Sequence, residues 1–232
     1  MLKINILFTL CLTLVFGMSL SAFGQTKFMV RIENISDADG LMTVGNAKYP
    51  FALSPGMFVV TNKKMDFFTV GKKASAGLEA QAEDGNPEVL SKMLLAKVGS
   101  ANMGIFNMPI GADAPAPILP GGVFEFEFTA TEGMKLNLVA MYGQSNDLFY
   151  APEKAIDLFV KGEAISGDIT DKLMLWDAGT EVNQAPGIGD EQAPRQKAQN
   201  MGTAENGKVG MVKDGFTYPN TKDVLRVTIT KE

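Results

Sequence analysis

Val123-Phe124-Glu125-Phe126-Glu127-Phe128-Thr129-Ala130 alternates three phenylalanines with two glutamates and a threonine. A period of two puts the three rings on one face of a strand and both carboxylates on the other, so the segment predicts a half-buried strand. Leu136, Leu138 and Ala140 repeat the pattern across the turn-like Thr131-Glu132-Gly133. Further out, Phe28, Val30 and Ile32 alternate with Met29, Arg31 and Glu33, while Leu225, Val227 and Ile229 alternate with Arg226, Thr228 and Thr230. Shorter apolar runs at 57–60, 156–160 and 173–176 fit further strands. Gly, Pro, Asn and Asp fill nearly every gap between them. Many short alternating strands separated by turns indicate an all-β fold, an antiparallel sandwich or barrel.

One stretch breaks the pattern. Asn86 suits an N-cap and Pro87 a first helical residue. Val89, Leu90, Met93, Leu94 and Val98 then recur at helical spacing before Gly99, predicting a helix over 88–98. Residues 77–84 suggest a short helical turn ahead of it. Residues 109–122, rich in Pro, Gly and Ala, read as a connecting loop. Residues 183–208 form a longer one, almost without large apolar side chains. A loop of that length in a small domain is disordered or functional, and it is the expected place of ligand recognition. No boundary leaves two self-sufficient cores, so a single domain is expected.

Composition removes much chemistry. The chain has 232 residues, a net charge of −5 and no histidine. Serine–histidine and cysteine–histidine catalysis and imidazole metal ligation are therefore excluded. A non-specific nucleic-acid binder needs a basic face, which an acidic chain disfavours. The ordinary share of apolar and charged residues, 46% and 20%, excludes disordered, collagen-like and coiled-coil classes.

The N-terminus reads as a targeting segment. Lys3 precedes an apolar run at 6–16, and Ala22-Phe23-Gly24 offers a small-x-small cleavage site before Gln25. Residues 1–24 are thus expected to be a signal peptide and 25–232 the exported domain; an uncleaved anchor is the alternative. The single cysteine, Cys11, lies inside the apolar run, so the exported part is expected to lack disulfides. No later apolar run approaches 18 residues, so no transmembrane segment is expected after cleavage. The expected location is secreted, periplasmic or on the cell surface.

The richest local chemistry follows the only tryptophan, in Trp176-Asp177-Ala178-Gly179-Thr180-Glu181. Gly179 permits a sharp bend that turns Asp177 and Glu181 toward one point. Without His or Cys, such a point suits a hard cation such as Ca²⁺, which takes six to eight oxygen ligands. A solvated acidic turn is the alternative reading. Asp147, in Gly143-Gln144-Ser145-Asn146-Asp147, joins the set if both loops lie at one end of a sandwich; alone, it is an ordinary turn residue. Glu79, Glu83 and Asp84 read as a solvated helical face. Gly187-Ile188-Gly189 lacks the strand, third glycine and helix of a nucleotide-binding loop. The scattered methionines read as core packing.

Taken together, Ser54-Pro55-Gly56, Gly77-Leu78-Glu79 with Ala82-Glu83-Asp84-Gly85, Gln144-Ser145-Asn146-Asp147 and Trp176-Asp177-Ala178-Gly179-Thr180-Glu181 resemble the spondin domain. This is the N-terminal domain family of the F-spondin and mindin matrix proteins, and it has exported bacterial members. Asn183 to Gly187 and Gln192 to Gln196 resemble the bacterial branch. The likeness runs from about Phe28 to Ile229. It implies a Greek-key, C-two-like β-sandwich with a calcium site in the loops at one end. By position it implies Asp147, Asp177 and Glu181 as the Ca²⁺ ligands; Glu181 stands where the animal pattern has Asp.

The functional expectation is a non-enzymatic, exported calcium-binding module for recognition or adhesion, with a glycan or protein as partner and no nucleic acid. One competing reading is a glycosidase-like hydrolase using the same carboxylates, which needs a pair roughly 5–5.5 Å apart beside an open groove if retaining. Another is a structural envelope protein without a specific ligand.

Overall fold

A computed structural model describes residues 24–232, so the expected signal segment lies outside the described residues except for Gly24. The main strands are β1 (Thr26–Asn34), β2 (Leu53–Thr61), β3 (Met103–Phe106), β4 (Val123–Ala130), β5 (Lys135–Tyr142), β6 (Leu148–Pro152), β7 (Leu173–Asp177) and β8 (Leu225–Lys231). Helices α1 (Ala76–Asp84) and α2 (Pro87–Val98) are inserted between β2 and β3. The described residues are 35% strand and 16% helical, an all-β sandwich with a helical insertion.

The smaller sheet runs in the order Gly167–Asp168, β8, β1, β4. The larger runs Gly210–Met211, β7, β6, β5, β2, β3, with Ile156–Asp157 added beside β5. Every pairing is antiparallel. Phe124, Phe126 and Phe128 of β4 point inward as the alternation predicts. Phe126 lies between Phe58 and Phe106, with ring centroids 4.3 and 5.1 Å away and planes within about 12°. On the outer face Arg31 pairs with Glu125, and Lys27 with Glu127 at 2.9 Å. Those pairs are solvated and contribute little.

The two sheets differ because only one has a second cover. Strands of the small sheet alternate buried and solvated positions, whereas β2, β5 and β6 are buried almost throughout. The reason is a third layer: α1 and α2 lie on the outer face of the large sheet, where Leu78, Ala82, Leu90 and Leu94 pack with Met57, Val59, Val139, Phe149 and Trp176. Trp176 donates from Nε1 to the Ala151 carbonyl at 3.0 Å.

Both helices have identifiable ends. Ser75 Oγ accepts from Leu78 N, and Asn86 Oδ1 accepts from Glu88 N at 3.1 Å with Pro87 in the first turn. The turn suggested at 77–84 is in fact a nine-residue helix. Its residue Gly77 lies against the Leu90 backbone, too close for a side chain. Leu78→Ala should therefore destabilise the fold by about 2–5 kcal/mol, because this side chain of α1 is fully buried in the cluster between the helices and the large sheet. Urea unfolding followed by the emission of Trp176 in the same cluster measures this directly.

Candidate functional site

Strand register builds the site. In the β6–β7 pair, Asp177 stands opposite Leu148. The loop ending at Asp147 and the loop starting after Asp177 therefore meet at one end of the large sheet, and Ala178 N donates to the Asp147 carbonyl at 3.2 Å. At that end Tyr142 closes β5. Its ring stacks with that of Tyr150, and its hydroxyl hydrogen-bonds the Tyr49 hydroxyl at 2.6 Å. This holds the start of the 143–147 loop rigidly. Residues 144–147 are all buried.

Asp147 is completely buried. Its Oδ2 accepts from Thr180 N at 2.7 Å, Thr180 Oγ1 at 3.1 Å and Glu181 N at 3.1 Å. Its Oδ1 has no partner. Asp177 accepts from Gly179 N at 2.7 Å and from Asn183 Nδ2 at 2.8 Å. The other side-chain atom of that amide, Asn183 Oδ1, is again buried without a partner. Glu181, also buried, accepts from Gly202 N at 2.9 Å and from Asn146 Nδ2 at 3.5 Å. Gly179 has φ 66°, and the Lys208 backbone occupies the place of a Cβ there, so the bend read from sequence requires glycine on two counts.

Glu83 is the residue that sequence reasoning misplaced. The expected solvated helix face holds for Glu79 and Asp84, both partly exposed, but Glu83 is 3% exposed and lies beside Thr180 and Glu181. The cause is tertiary. The sheet covers one side of α1 and the 196–200 segment another, with Gln196 Nε2 donating to Asp84 Oδ1 at 2.8 Å. A helix flanked on two sides buries more than the single stripe its own periodicity reveals.

Electrostatically the carboxylates of this end stand without ion-pair partners. No ion pair among the described residues involves Glu83, Asp84, Asp147, Asp177 or Glu181. Burial, aided by the nearby Asp177 charge, raises Asp147 to about 6 despite the amides on Oδ2. Burial lifts Glu181 to about 7, reinforced by Asp147 and Asp84. Burial lifts Glu83 to about 7, reinforced by Glu181. Asp177 is raised by burial, with Gly179 N opposing the rise and Glu205 adding to it.

The 183–208 segment is a buttress across this end. Gln192 is fully buried, donates to the carbonyls of Gln184 and Ala185 at 3.1 and 3.0 Å, and accepts from Gly187 N and from Arg195 Nη2. Arg195 also donates to Gln144 Oε1 at 2.9 Å, tying the segment to the loop of Asp147. Gly202 presses on Glu181 so closely that a Cβ would overlap the carboxylate. Gly202→Ala should therefore displace Glu181 while leaving the sheets intact, visible as altered amide signals for residues 181 and 202 with unchanged far-ultraviolet circular dichroism. An unperturbed Glu181 environment would argue against this packing.

As the side chains stand, no group of three or more His, Cys, Asp or Glu among the described residues is arranged to hold a metal ion. Asp147, Asp177 and Glu181 share one end of the sheet, but hydrogen-bond donors hold their oxygens apart. The donor set is nonetheless all oxygen, and of the five buried side-chain oxygens without a partner among the described residues, two, Asp147 Oδ1 and Asn183 Oδ1, lie on or beside these residues. That chemistry fits a hard cation. A cavity of about 840 Å³ lies toward the other end of β7, between Leu173, Leu175, Met211 and Tyr218. No helix of the described residues is long and apolar enough to cross a membrane. No family model matches the chain, and a search of curated proteins finds no relative.

Proposed function

We propose that this chain is a spondin-type, exported, non-enzymatic recognition module whose acidic loop end binds Ca²⁺. The observation that carries the reading is the pair of buried, unpartnered oxygens, Asp147 Oδ1 and Asn183 Oδ1, in an acidic cluster whose carboxylates form no ion pair among the described residues. A divalent cation would satisfy both oxygens and offset the repulsion among Asp147, Asp177 and Glu181. These three residues and the amide oxygen of Asn183 would hold the ion, with carbonyls and water completing the shell. Asp177 and Glu181 would offer the cation lone pairs that their amide donors leave free, so the hydrogen bonds from Asn183 and Gly202 would be kept and binding should tighten the 183–208 segment. The bound ion supplies charge neutralisation and loop rigidity.

Recognition suits this arrangement better than hydrolysis. The carboxylates are wrapped by backbone amides, and the 840 Å³ cavity is lined by none of Asp147, Asp177 and Glu181. The partner is proposed to be a glycan or protein met outside the cytoplasm. Calcium titration with melting-temperature readout tests the metal site. Glycan and matrix-protein arrays probed with and without calcium test the recognition role; no calcium-dependent ligand on either array would count against it.

A further inference from the structure

Asn206-Gly207 is the one Asn-Gly pair in the chain. It closes the stretch that laces the 183–208 segment to the acidic loop. Val182 N donates to the Thr203 carbonyl at 2.8 Å, Glu205 N to the Thr180 carbonyl at 2.7 Å and Gly207 N to the Gly179 carbonyl at 2.9 Å. Gly207 lies so near Gly179 that a Cβ would stand 2.8 Å from the Gly179 oxygen. Packing therefore requires glycine at 207, whatever residue precedes it.

Asn206 itself is exposed, and its Oδ1 accepts from Lys73 Nζ at 2.6 Å. Lys73 is held there independently of the acidic loop, because Val209 N donates to the Lys72 carbonyl at 2.9 Å and Gly71 N to the Val209 carbonyl at 2.8 Å. An ammonium on Oδ1 draws electron density from Asn206 Cγ and stabilises negative charge that develops on that oxygen. The Gly207 backbone nitrogen is next along the chain, and its attack on Cγ closes a five-membered ring. With no side chain at 207, nothing hinders that approach. While its proton is engaged by the Gly179 carbonyl, however, the nitrogen cannot act as a nucleophile.

We propose that Asn206 is a site of spontaneous deamidation, guarded by the Gly207–Gly179 hydrogen bond. When that bond opens, the Gly207 nitrogen gives its proton to solvent base and attacks Asn206 Cγ. A C–N bond forms, the side-chain nitrogen takes up a proton and leaves as ammonia, and a cyclic imide joins residues 206 and 207. Solvent water then adds to either imide carbonyl and reopens the ring as aspartate or iso-aspartate, with no change of oxidation state.

The two products differ in what they do to the fold. Aspartate keeps the backbone length and sets a carboxylate against Lys73. Iso-aspartate routes the backbone through the side-chain methylene, lengthening it by about 1.5 Å, one C–C bond. The contact with Gly179 has no room for even a methyl group, so the longer chain holds this hydrogen bond open. Gly179 stands between Asp177 and Glu181, so iso-aspartate loosens the acidic end irreversibly. The modification site rests on Lys73, Gly179, Asn206 and Gly207 alone. Its control by calcium rests on the metal site proposed above, since a cation that tightens the 177–181 loop keeps the guard closed.

The test is to age the folded protein at pH 8 in calcium and in excess chelator, beside a synthetic peptide of residues 198–208. Peptide mass spectrometry follows conversion at Asn206, and electron-transfer fragmentation separates aspartate from iso-aspartate. Both products should accumulate at Asn206 in chelator, more slowly than in the free peptide because the guard opens only part of the time. Calcium at 100-fold over its dissociation constant should slow conversion by up to roughly 100-fold, since it binds only the closed form. Lys73→Met, at an exposed position, should slow conversion several-fold in chelator, and Asn206→Gln should abolish it. The iso-aspartate fraction should melt below the fresh protein. No conversion at Asn206, conversion as fast as in the free peptide, or an unchanged rate in Lys73→Met overturns the proposal. Melting curves of fresh protein in calcium and in chelator separate the two readings. Guarded conversion with no calcium effect on rate or melting sinks the metal site alone. A calcium shift in melting without guarded conversion sinks the modification site alone, and the same shift with an unchanged rate overturns the control by calcium.

Discussion

Calcium at 100-fold over its dissociation constant is expected to raise the melting temperature by about 5–11 °C relative to excess chelator. Linkage to a ligand that binds only the folded state gives about 2.7 kcal/mol at that saturation, and each kcal/mol moves a domain of this size by roughly 2–4 °C. The gain comes from filling Asp147 Oδ1 and Asn183 Oδ1 and from offsetting repulsion among carboxylates that no Lys or Arg neutralises. Mg²⁺ should be a poor substitute, because it demands near-octahedral geometry, whereas these loops offer an irregular set of oxygens. Asp177→Asn should remove most of the shift, and Glu79→Gln should leave it intact. Ionic strength is held constant so that screening is not read as binding. Equal melting temperatures in millimolar calcium and in chelator would refute the site.

The calcium-free protein should lose stability as pH rises from 5 to 8. Glu181 and Glu83 stand at about 7 in the folded protein against an ordinary value of 4.5, and Asp147 at about 6 against 3.8. A carboxyl group raised in the folded state holds its proton more tightly there than when unfolded. Its stabilising contribution is complete below the unfolded value and disappears as pH climbs through the folded value. For one carboxyl group lifted from 4.5 to about 7, the loss between pH 5 and pH 8 is about 2–3 kcal/mol, or about 5–10 °C in melting temperature. Glu181→Gln should flatten the profile, because the amide has no proton to lose. Calcium should act in the opposite sense, with a small effect at pH 5 and the full effect at pH 8, where it no longer competes with protons. A calcium-free melting temperature that stays level or rises from pH 5 to 8 would contradict the burial of these groups.

Much of the architecture was legible in one dimension. Where a strand has one solvated face, period-two alternation carries its orientation, and β1, β4 and β8 were each found from a few residues; β5 was found by the same alternation although its outer face is covered. Asn86, Pro87 and Gly99 bounded α2 because caps act within a turn of the chain. Gly179 was found for a similar reason, since a left-handed bend is a property of one residue. Asp147, Asp177 and Glu181 could be nominated from two short loops. Their meeting at one end depended on the pairing of β6 with β7, which no local pattern specifies.

The rest was decided by what lies across the fold. The depth at which α1 is buried, and hence the position of Glu83, follows from covers supplied by the sheet and by a segment more than a hundred residues later. The 183–208 loop, nearly devoid of large apolar residues, gave no periodic sign of order. Its order comes instead from polar contacts such as those of Gln192 and Arg195, which exist only once the distant partners are in place. The amino-acid sequence by itself determined the all-β class, the helix boundaries and which acids stand in turns, because these depend on neighbours within a few residues. Only the tertiary structure decided which carboxylates are buried, which oxygens lack partners and where the cavity opens, because burial and hydrogen-bond satisfaction are set by atoms far apart in the chain.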